Sequence, residues 1–376
     1  MKFLHLADLH LGKKVFGYDL DEEQRDILRQ VLEAADTYHV DGVLICGDVY
    51  DVAMPPIGAV ALLNWFLNEL HKRALDVFII SGNHDSAGRL NFGSELLKES
   101  RIHIASIFEG DVEYVDMEKD GERVRIHMLP FIKPIIVRTV CDVPCDGWNA
   151  AMEEAMKRVH FDDEACNILM SHQFFAGSQT CESETHAIGT LDQIATSYLD
   201  RFDYAALGHL HNPQSCGRAQ NRYPGTLLKF SASELDVSKT LTMIETNPDH
   251  SVSIIELPLH PIHDFVRIRG TFDEIVSRSF WKDLDLENYY YVILDDEQEV
   301  FQVYEKLTSI YPRLLKIEYS RTRPQVTMED MDDLTTEQKT PMEIFAEFFE
   351  MQNGTAATQE QMKVVIDAWE AIHETD

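Results

Sequence analysis

Residues 3–10 have the sequence Phe-Leu-His-Leu-Ala-Asp-Leu-His, an apolar run that ends in an Asp-x-His pair. A run of this length and apolar content is typical of a strand buried in a covered sheet. Because side chains alternate along an extended segment, Asp8 and His10 are expected on one face of the strand end. The stretch therefore predicts a central strand that delivers two polar side chains to one edge of a sheet.

The same pattern, an apolar run followed by polar residues, occurs four more times along the chain. The apolar runs are 43–46, 77–80, 168–170 and 204–207. The polar clusters after them are Gly47-Asp48, Gly82-Asn83-His84-Asp85, Ser171-His172 and Gly208-His209-Leu210-His211. Open α/β sheets bind ligands outside the carboxyl ends of their strands, so the five clusters are expected to converge on one crevice.

Two Asp, one Asn and five His from these clusters have the chemistry of a paired-metal site. Imidazole and carboxylate suit manganese, iron and zinc, whereas an all-oxygen set suits magnesium or calcium. A bridging carboxylate can hold two metals about 3.5–4 Å apart, the spacing that clamps both oxygens of an in-line displacement at phosphorus. The pattern therefore predicts metal-assisted chemistry at phosphorus.

Helical periodicity separates the first strands. Residues 21–38 have apolar side chains at three- and four-residue spacing, and Pro55-Pro56 suits the start of a second helix to about Arg73. Alternating strands and helices predict right-handed crossovers and a largely parallel sheet. Asp120-Gly121 is a hairpin signal, so antiparallel strands are expected at one edge. We also expect a helix over 89–100, a helix near 149–159, and strands near 226–231, 240–245 and 252–257.

The chain is long enough for two or three domains. Residues 1–260 form the first, and 261–322 follow as a small α+β module with strands at 265–269, 289–294 and 315–319 and helices at 272–279 and 299–309. Residues 323–339 are polar and are predicted to be a linker. Residues 340–376 have two capping-box signals and are predicted to form a helical hairpin.

Composition limits the class of protein. The formal net charge is -32 at pH 7, so a nucleic-acid substrate would need metal ions or a basic partner to be held. Residues 1–8 are interrupted by polar residues too soon for a signal peptide, and no apolar run reaches the roughly 20 residues of a membrane span. The first residues are therefore interpreted as a strand, which predicts a cytoplasmic protein without membrane contact. Without a secretion signal, the six cysteines are expected to be reduced thiols.

The series Asp8-x-His10, Gly47-Asp48-x-x-Asp51, Gly82-Asn83-His84-Asp85, His172 and Gly208-His209-x-His211 resembles the calcineurin-like metallophosphoesterases. The flanking residues 5–12, 81–85, 223–226 and 230–234 resemble one branch of that family, the SbcD subunits of bacterial SbcCD nucleases. The likeness is strong over residues 1 to about 260 and concerns only the layout beyond them. It implies a phosphoesterase core with mixed sheets flanked by helices, a DNA-capping module at 261–322 and C-terminal helices.

The resemblance also implies roles for individual residues. Asp8, His10, Asp48 and His211 would bind one metal, and Asp48 would bridge to a second metal held by Asn83, His172 and His209. His84 would touch the scissile phosphate and protonate or stabilise the leaving oxygen, with Asp85 orienting its ring. The implied cofactor is a pair of divalent ions, Mn²⁺. The implied partners are DNA, a second copy within a heterotetramer, and an SbcC-like ATPase whose coiled coil receives residues 340–376.

Some residues and functions remain open at this level. Asp51 either caps the following turn or supports the site, and His5, His127 and His186 are interpreted as structural or surface residues. The polar loop from Phe174 to Gly189 receives no role. The leading hypothesis is a metal-dependent DNA nuclease subunit, both double-strand exonuclease and single-strand or hairpin endonuclease. The alternatives are a stand-alone phosphodiesterase or phosphatase on the same fold, and an interaction subunit with a vestigial site.

Overall fold

A computed structural model describes residues 1–181 and 193–320, with the short pieces 345–346, 349, 356–358 and 361–365. The described residues form two compact units. The larger unit is Met1–Arg267 with Glu287–Tyr291, and the smaller unit is Ile268–Leu286 with the described residues from Val292 onward. The predicted linker at 323–339 lies outside the described residues. Of the predicted hairpin at 340–376, only the short pieces are described, and 345–346, 349 and 361–365 are helical.

Seventeen strands are described. In chain order they are β1 (Lys2–Leu6), β2 (Lys14–Val15), β3 (Tyr18–Asp19), β4 (Gly42–Cys46), β5 (Asp76–Ile80), β6 (Ile102–Ala105), β7 (Glu113–Lys119), β8 (Glu122–Leu129), β9 (Cys166–His172), β10 (Tyr204–Gly208), β11 (Gln214–Ser215), β12 (Asn221–Tyr223), β13 (Thr240–Thr246), β14 (Val252–Pro258), β15 (Phe265–Gly270), β16 (Tyr289–Leu294) and β17 (Leu314–Tyr319).

The α-helices of the described residues are fewer. They are α1 (Asp21–Tyr38), α2 (Ile57–Lys72), α3 (Ala87–Leu90), α4 (Ser94–Lys98), α5 (Pro134–Cys141), α6 (Trp148–Met156), α7 (Phe272–Ile275), α8 (Arg278–Trp281) and α9 (Val303–Thr308). None of the helices in the described part of the chain has the length and apolar character needed to cross a membrane.

The strands of the larger unit form two six-stranded sheets. The first has the order β14–β13–β1–β4–β5–β6, and the second has the order β11–β12–β10–β9–β8–β7. In the first sheet β1, β4, β5 and β6 are parallel, and β13 and β14 join antiparallel at one edge. In the second sheet β8, β9, β10 and β12 are parallel and the two edge strands are antiparallel. The predicted mixed α/β architecture is confirmed. The structure further shows that the strands are divided between two sheets, which the spacing of strands and helices did not predict.

The two sheets share one apolar core. Phe3 and Phe78 from the first sheet and Ile126, Met170 and Tyr204 from the second are fully or almost fully buried in the same cluster. Leu169 belongs to a second cluster, which includes residues of α6. Because β9 is covered on both faces, its sequence is continuously apolar rather than alternating.

Several predicted elements are confirmed. The helix at 21–38 has the predicted bounds and buries its apolar stripe. The hairpin is the β7–β8 pair, whose register sets Lys119 opposite Glu122. Asp120 and Gly121 have φ of 52° and 83°, the left-handed values that a two-residue type I′ turn requires.

Three predicted elements are wrong in part or in whole. The helix predicted over 89–100 is two short helices, because the chain turns at Gly93, which has φ of 76°. The helix predicted over 272–279 is likewise divided into α7 and α8. The strand predicted at 226–231 is absent. Instead Thr226 donates its backbone N–H to the carbonyl of His211, 3.0 Å away, so the segment packs against a site loop rather than joining a sheet.

Candidate metal centre

The seven predicted ligands lie together where β1, β4, β5, β9 and β10 end. Two sets of hydrogen bonds join the sheets at this point. His172 Nδ1 donates to the carbonyl oxygen of Cys46 at 2.8 Å, and the backbone N–H of His209 donates to both carboxylate oxygens of Asp8 at 3.0 and 3.1 Å. The strand ends of both sheets are therefore held against each other. The seven residues are Asp8, His10, Asp48, Asn83, His172, His209 and His211.

Asp8, His10 and His211 form the first group of donors. One ligand atom of each lies within 4.8 Å of the others, and all three side chains are buried. The Nε2 atoms of His10 and His211 face each other at 3.2 Å. A divalent cation accepts nitrogen lone pairs from two imidazoles and an oxygen lone pair from a carboxylate, so this group has suitable chemistry for one ion.

Asp48 lies between this group and the rest of the site. Its Oδ2 is 3.4 Å from His172 Nε2 and 3.8 Å from His10 Nε2. Only 2% of the residue is exposed. A carboxylate with donors on two sides occupies the position that a shared ligand needs.

Asn83, His172 and His209 form the other side. The Oδ1 of Asn83 is 3.1 Å from His172 Nε2 and 3.0 Å from His209 Nδ1. One amide oxygen and two imidazole nitrogens thus converge within hydrogen-bonding distance. The neighbouring Asp48 supplies a carboxylate to the same cluster.

Four of these residues have a backbone conformation that side chains other than Gly rarely adopt. Asp8, His10, Asp48 and His209 have φ of 53°, 42°, 46° and 104°. Such conformations cost about 1–3 kcal/mol each and persist only where the surroundings enforce them. Here the N–H of Asp8 is bound to the Gly47 carbonyl and that of His10 to the Asp48 carbonyl.

Two glycines allow the site to close. A Cβ at Gly208 would collide with the carbonyl oxygen of Cys46 and lie 2.8 Å from His172 Nδ1. A Cβ at Gly82 would collide with the Oδ1 of Asp48. Each glycine directly precedes a ligand in the chain, so close approach of backbones is what brings the ligands into reach.

Burial and charge act against each other inside the cluster. Burial raises the pKa of Asp8 to about 7. Burial lowers the pKa of His172, but the charge and hydrogen bond of Asp48, the charge of Asp8 and the Cys46 carbonyl together outweigh burial and raise the value to about 9. Conversely, His172 holds the pKa of Asp48 well below its usual range, although burial acts in the opposite direction. Buried carboxylates that need a positive charge nearby favour binding of a cation.

His84 lies beside the donor groups, and the contacts of Asp85 differ from those expected. His84 Nδ1 lies 2.8 Å from the backbone carbonyl oxygen of Asp51, and its Nε2 lies 4.0 Å from Asp48 Oδ2. Asp85 accepts the backbone N–H groups of Val49, Tyr50 and Gly82 at 2.9–3.1 Å. The expected role of Asp85 in orienting the His84 ring therefore needs correction. In this structure the Asp51 carbonyl binds the ring, and Asp85 ties together the loops after β4 and β5.

Two further residues contact His10 of the first donor group and fix its position. The Oδ1 of Asp51 lies 3.2 Å from His10 Nδ1 and accepts a hydrogen bond from Lys13 Nζ at 2.7 Å. Of the two roles open for Asp51, support of the site is the one that this geometry favours. Gln24 on α1 donates its amide to the carbonyl of His10 at 2.8 Å. Nothing in the sequence pattern marked Gln24 as part of the site.

A buried ion pair anchors the segment that carries His211. Lys239 Nζ donates to the His211 carbonyl oxygen at 2.8 Å, to Thr226 Oγ1 at 2.8 Å and to Glu234 Oε2 at 2.6 Å. Glu234 is completely buried, and its Oε1 lies 3.9 Å from His211 Nδ1. Lys239 gives no signal in the sequence, because lysines are mostly exposed and its burial depends on acceptors from distant segments.

The remaining histidines lie outside the metal-type groups of the described residues. His5 Nδ1 pairs with the Tyr204 hydroxyl at 2.9 Å, and His127 Nε2 pairs with Asn167 Oδ1 at 3.0 Å. Both are fully buried, as a structural role requires. His186 and most of the loop from Phe174 to Gly189 fall outside the described residues.

The donor set fits divalent metals. Imidazole nitrogens and carboxylate or amide oxygens predominate, and together they suit ions such as manganese, iron and zinc. Three groups of at least three donors share members along the cluster. The groups are Asp8–His10–His211, His10–Asp48–His84 and Asp8–Asp48–His172.

Comparison with known proteins agrees with this chemistry. A family model described as calcineurin-like phosphoesterase matches residues 1–213, more than half of the chain. A second model, described as the C-terminal domain of the type 5 capsule protein repressor, matches residues 261–353. The SbcD subunit of the SbcCD nuclease of Staphylococcus epidermidis is 29% identical over 345 residues, which cover 89% of this chain and 91% of that protein.

Two solved structures are also similar. A dimetal phosphatase from Danio rerio has 12% identity and a TM-score of 0.37, with 69% of this chain and 96% of that one covered. A protein of Thermus thermophilus has 10% identity and a TM-score of 0.39, with 68% of this chain and 98% of that one covered.

Proposed function

The chain belongs to the calcineurin-like phosphoesterase family, and on that premise we propose that it is the nuclease subunit of an SbcCD-type, ATP-dependent complex. The observation that carries the proposal is the likeness to a bacterial SbcD nuclease subunit over nearly the whole of both chains. Residues 1–260 would be the nuclease domain and 261–322 the DNA-capping domain. A linker at 323–339 would lead to a helical hairpin at 340–376.

Family membership implies divalent metal cofactors, and we assign them to the candidate metal centre. Asp8, His10, Asp48 and His211 would hold one ion. Asp48, Asn83, His172 and His209 would hold the other. When bound, two such ions stabilise the charge that develops in displacement at phosphorus. The mixture of imidazole and carboxylate donors supports manganese over magnesium.

His84 is the proposed general acid. Its Nδ1 is held by the Asp51 carbonyl, so the ring has a fixed orientation. Its side chain is 24% exposed whereas that of Asp48 is 3% exposed, so His84 can meet a substrate oxygen. Nε2 would carry the proton that stabilises the leaving oxygen, and Asp85 would keep the loop in place.

The partners follow from charge as well as likeness. A chain with a net charge of -32 gains little from binding a phosphate backbone by itself, so DNA affinity would come from metal ions and from an SbcC-like ATPase bound at 340–376. Activity would include double-strand exonuclease and single-strand or hairpin endonuclease cleavage. The complex would act in DNA repair and recombination in the cytoplasm.

A second copy of the chain would bind the face around α2, α3 and α4, giving a homodimer within a heterotetramer. Ile57 and Phe92 are each 88% exposed, Leu96 is 79% exposed and Met54 is 71% exposed. Beside them is an apolar groove of about 530 Å³ lined by residues such as Leu63, Leu67 and Ile104. Two strongly acidic copies repel each other, so a face with exposed apolar side chains is the one through which they can associate.

A stand-alone phosphodiesterase or phosphatase is the alternative. It requires the same metal centre and has no use for a capping module or docking helices. A vestigial site is disfavoured, because all seven predicted ligands converge in the described structure.

The test is cleavage of a DNA duplex, a DNA hairpin and a simple phosphodiester with Mn²⁺, with and without the ATPase subunit. We expect hydrolysis of all three substrates, and ATP-dependent stimulation by the partner on DNA alone. The matched control is the His84→Gln variant. Hydrolysis of the simple phosphodiester without any cleavage of DNA, even in the presence of the partner, would overturn the nuclease assignment and favour the alternative.

A further inference from the structure

A further group of metal-type donors shares His211 with the candidate metal centre. Ligand atoms of Cys181, His211 and Glu234 all lie within 4.8 Å of one another, and the three residues are buried. We infer that these three residues form a separate position for a soft divalent cation such as Zn²⁺ or Cd²⁺. Its occupation withdraws His211 from the candidate metal centre and inhibits hydrolysis. The regulatory part of this inference rests on the proposed function.

The donor chemistry differs from that of the candidate metal centre. The seven proposed ligands there include no sulfur, whereas this group combines a thiol, an imidazole and a carboxylate. Thiolate is a soft ligand that favours zinc and similar ions over manganese. Binding replaces the thiol proton of Cys181 with the metal ion, and that proton goes to solvent.

His211 is the member that the two positions share. Its Nε2 lies 3.2 Å from His10 Nε2, while its Nδ1 lies 3.9 Å from Glu234 Oε1 on the opposite side of the ring. A neutral imidazole has one nitrogen with a lone pair and one with a proton. If Nδ1 binds a cation, Nε2 carries the proton and offers no lone pair to the other position. Occupation of the two positions is therefore mutually exclusive for a neutral ring.

Glu234 is oriented for this second position. Its Oε2 accepts hydrogen bonds from Lys239 Nζ at 2.6 Å and from Thr226 Oγ1 at 3.2 Å, so the ion pair with Lys239 uses Oε2. Oε1 accepts Ser231 Oγ at 2.8 Å and is the oxygen that faces His211 Nδ1. A cation between them would meet a carboxylate that is already fixed, which lowers the cost of ordering the ligand.

Cys181 is the most accessible of the three donors. It is 8% exposed, compared with 2% for His211 and 0% for Glu234. It lies on the segment from Phe174 to Gly189, to which the sequence pattern assigns no role, and its Sγ lies within 4.8 Å of a ring nitrogen of His211. An ion arriving from solvent would meet the thiol first. Cys181 would then act as a regulatory ligand rather than a substrate contact.

The test uses the full chain in saturating Mn²⁺ and adds Cd²⁺. Two signals are followed together, the ultraviolet charge-transfer absorbance of a cadmium–thiolate bond and the rate of hydrolysis of a chromogenic phosphodiester. We expect the absorbance to rise as the rate falls. In Cys181→Ser the absorbance should be lost, and half-inhibition should need at least about tenfold more Cd²⁺.

Cys141→Ser is the matched control, because Cys141 is a partly exposed cysteine outside the donor group, and it should behave like the wild type. Circular dichroism checks that each variant is folded, and Cys181→Ala provides a second variant. Equal absorbance or equal inhibition in wild type and both Cys181 variants would overturn the inference. Absence of any hydrolysis with Mn²⁺ would instead contradict the proposed function, since the absorbance signal does not depend on turnover.

Discussion

The candidate metal centre buries charged and polar side chains, whereas the smaller unit buries aromatic and aliphatic ones. Asp8, His10 and Asp48 are at most 2% exposed, and every buried polar or charged side chain of the described residues lies before residue 247. In the smaller unit the buried side chains are residues such as Ile275, Val292 and Tyr311, and its described residues contain no three-donor metal group.

This difference separates chemistry from stability. Burying a polar group costs free energy unless it is paired, so a region that retains many of them is organised for something other than stability. The smaller unit follows the opposite rule and buries side chains that favour folding. We therefore expect substitutions at the metal centre to change hydrolysis far more than folding. Substitutions in the smaller unit should do the reverse.

The largest effect is expected for Asp48→Asn. The substitution keeps the shape of the side chain but removes the charge that lies between the two donor groups, so metal binding and hydrolysis should both be lost. Metal content by elemental analysis and rate with Mn²⁺ are the measurements. The midpoint of thermal unfolding, measured without metal, should stay close to that of the wild type. A variant that retains the metal would remove Asp48 from its proposed bridging role.

His84→Gln is expected to have the next largest effect. Loss of a general acid should lower the rate by about 10²–10⁴-fold. Metal content should remain as in the wild type, because His84 is not among the seven proposed ligands. A substrate whose leaving group needs no proton should recover much of the rate. Undiminished cleavage of a DNA hairpin by this variant would contradict the assignment.

Truncation after about residue 335 tests the other side of the comparison. The predicted docking helices are removed while the metal centre is untouched, so basal hydrolysis of a simple phosphodiester should be unchanged. Binding to the ATPase subunit should be abolished, as measured by co-purification. If the truncated chain still co-purifies with the ATPase, residues 340–376 are not the docking segment.

A smaller effect on stability is expected from His127, which lies in the larger unit away from the metal centre. Burial lowers its pKa to about 4, so the folded state holds the ring neutral. The contribution of the neutral ring to the free energy of unfolding is fully present above pH 6.5. It is lost as the pH falls toward 4, a change of about 3 kcal/mol. His127→Gln should flatten the loss of unfolding free energy between pH 7 and pH 4.5. An unchanged slope in the variant would show that other groups cause the loss.

The smallest effect is expected from Tyr311→Phe in the smaller unit. The Tyr311 hydroxyl donates to the Ile275 carbonyl oxygen at 2.8 Å, and losing this buried bond should cost about 1 kcal/mol. Chemical denaturation measures the change, and metal-dependent hydrolysis should be unaffected. A marked fall in hydrolysis would mean that the two regions are coupled more closely than their composition suggests.

Local sequence predicted the parts of the fold that depend on local rules. The helix Asp21–Tyr38 and the Asp120-Gly121 hairpin follow from periodicity and turn chemistry. The apolar run followed by polar residues predicted which side chains would meet. The division of the strands into two sheets depends on which faces pack together, and periodicity along a strand buried on both sides carries no such information.

Supporting contacts were the least predictable part of the site. Asp85 was expected to hold the His84 ring, but the partner of the ring is the backbone carbonyl of Asp51. Every residue has a backbone carbonyl, so residue types do not predict which one accepts such a bond. Lys239 and Glu234 meet through tertiary structure alone. The failed strand at 226–231 has the same origin, because its backbone bonds to the His211 segment instead of a neighbouring strand.

The left-handed backbone at Asp8 and Asp48 restricts how this centre can change during evolution. A residue at either position must supply an oxygen donor and also tolerate positive φ, and among the L-amino acids Asp and Asn meet both demands best. Glutamate would keep the charge but would not tolerate the positive φ. Glycine would adopt the positive φ but would supply no ligand oxygen from a side chain. During evolution these positions can therefore change only between Asp and Asn, whatever the substrate that selection favours.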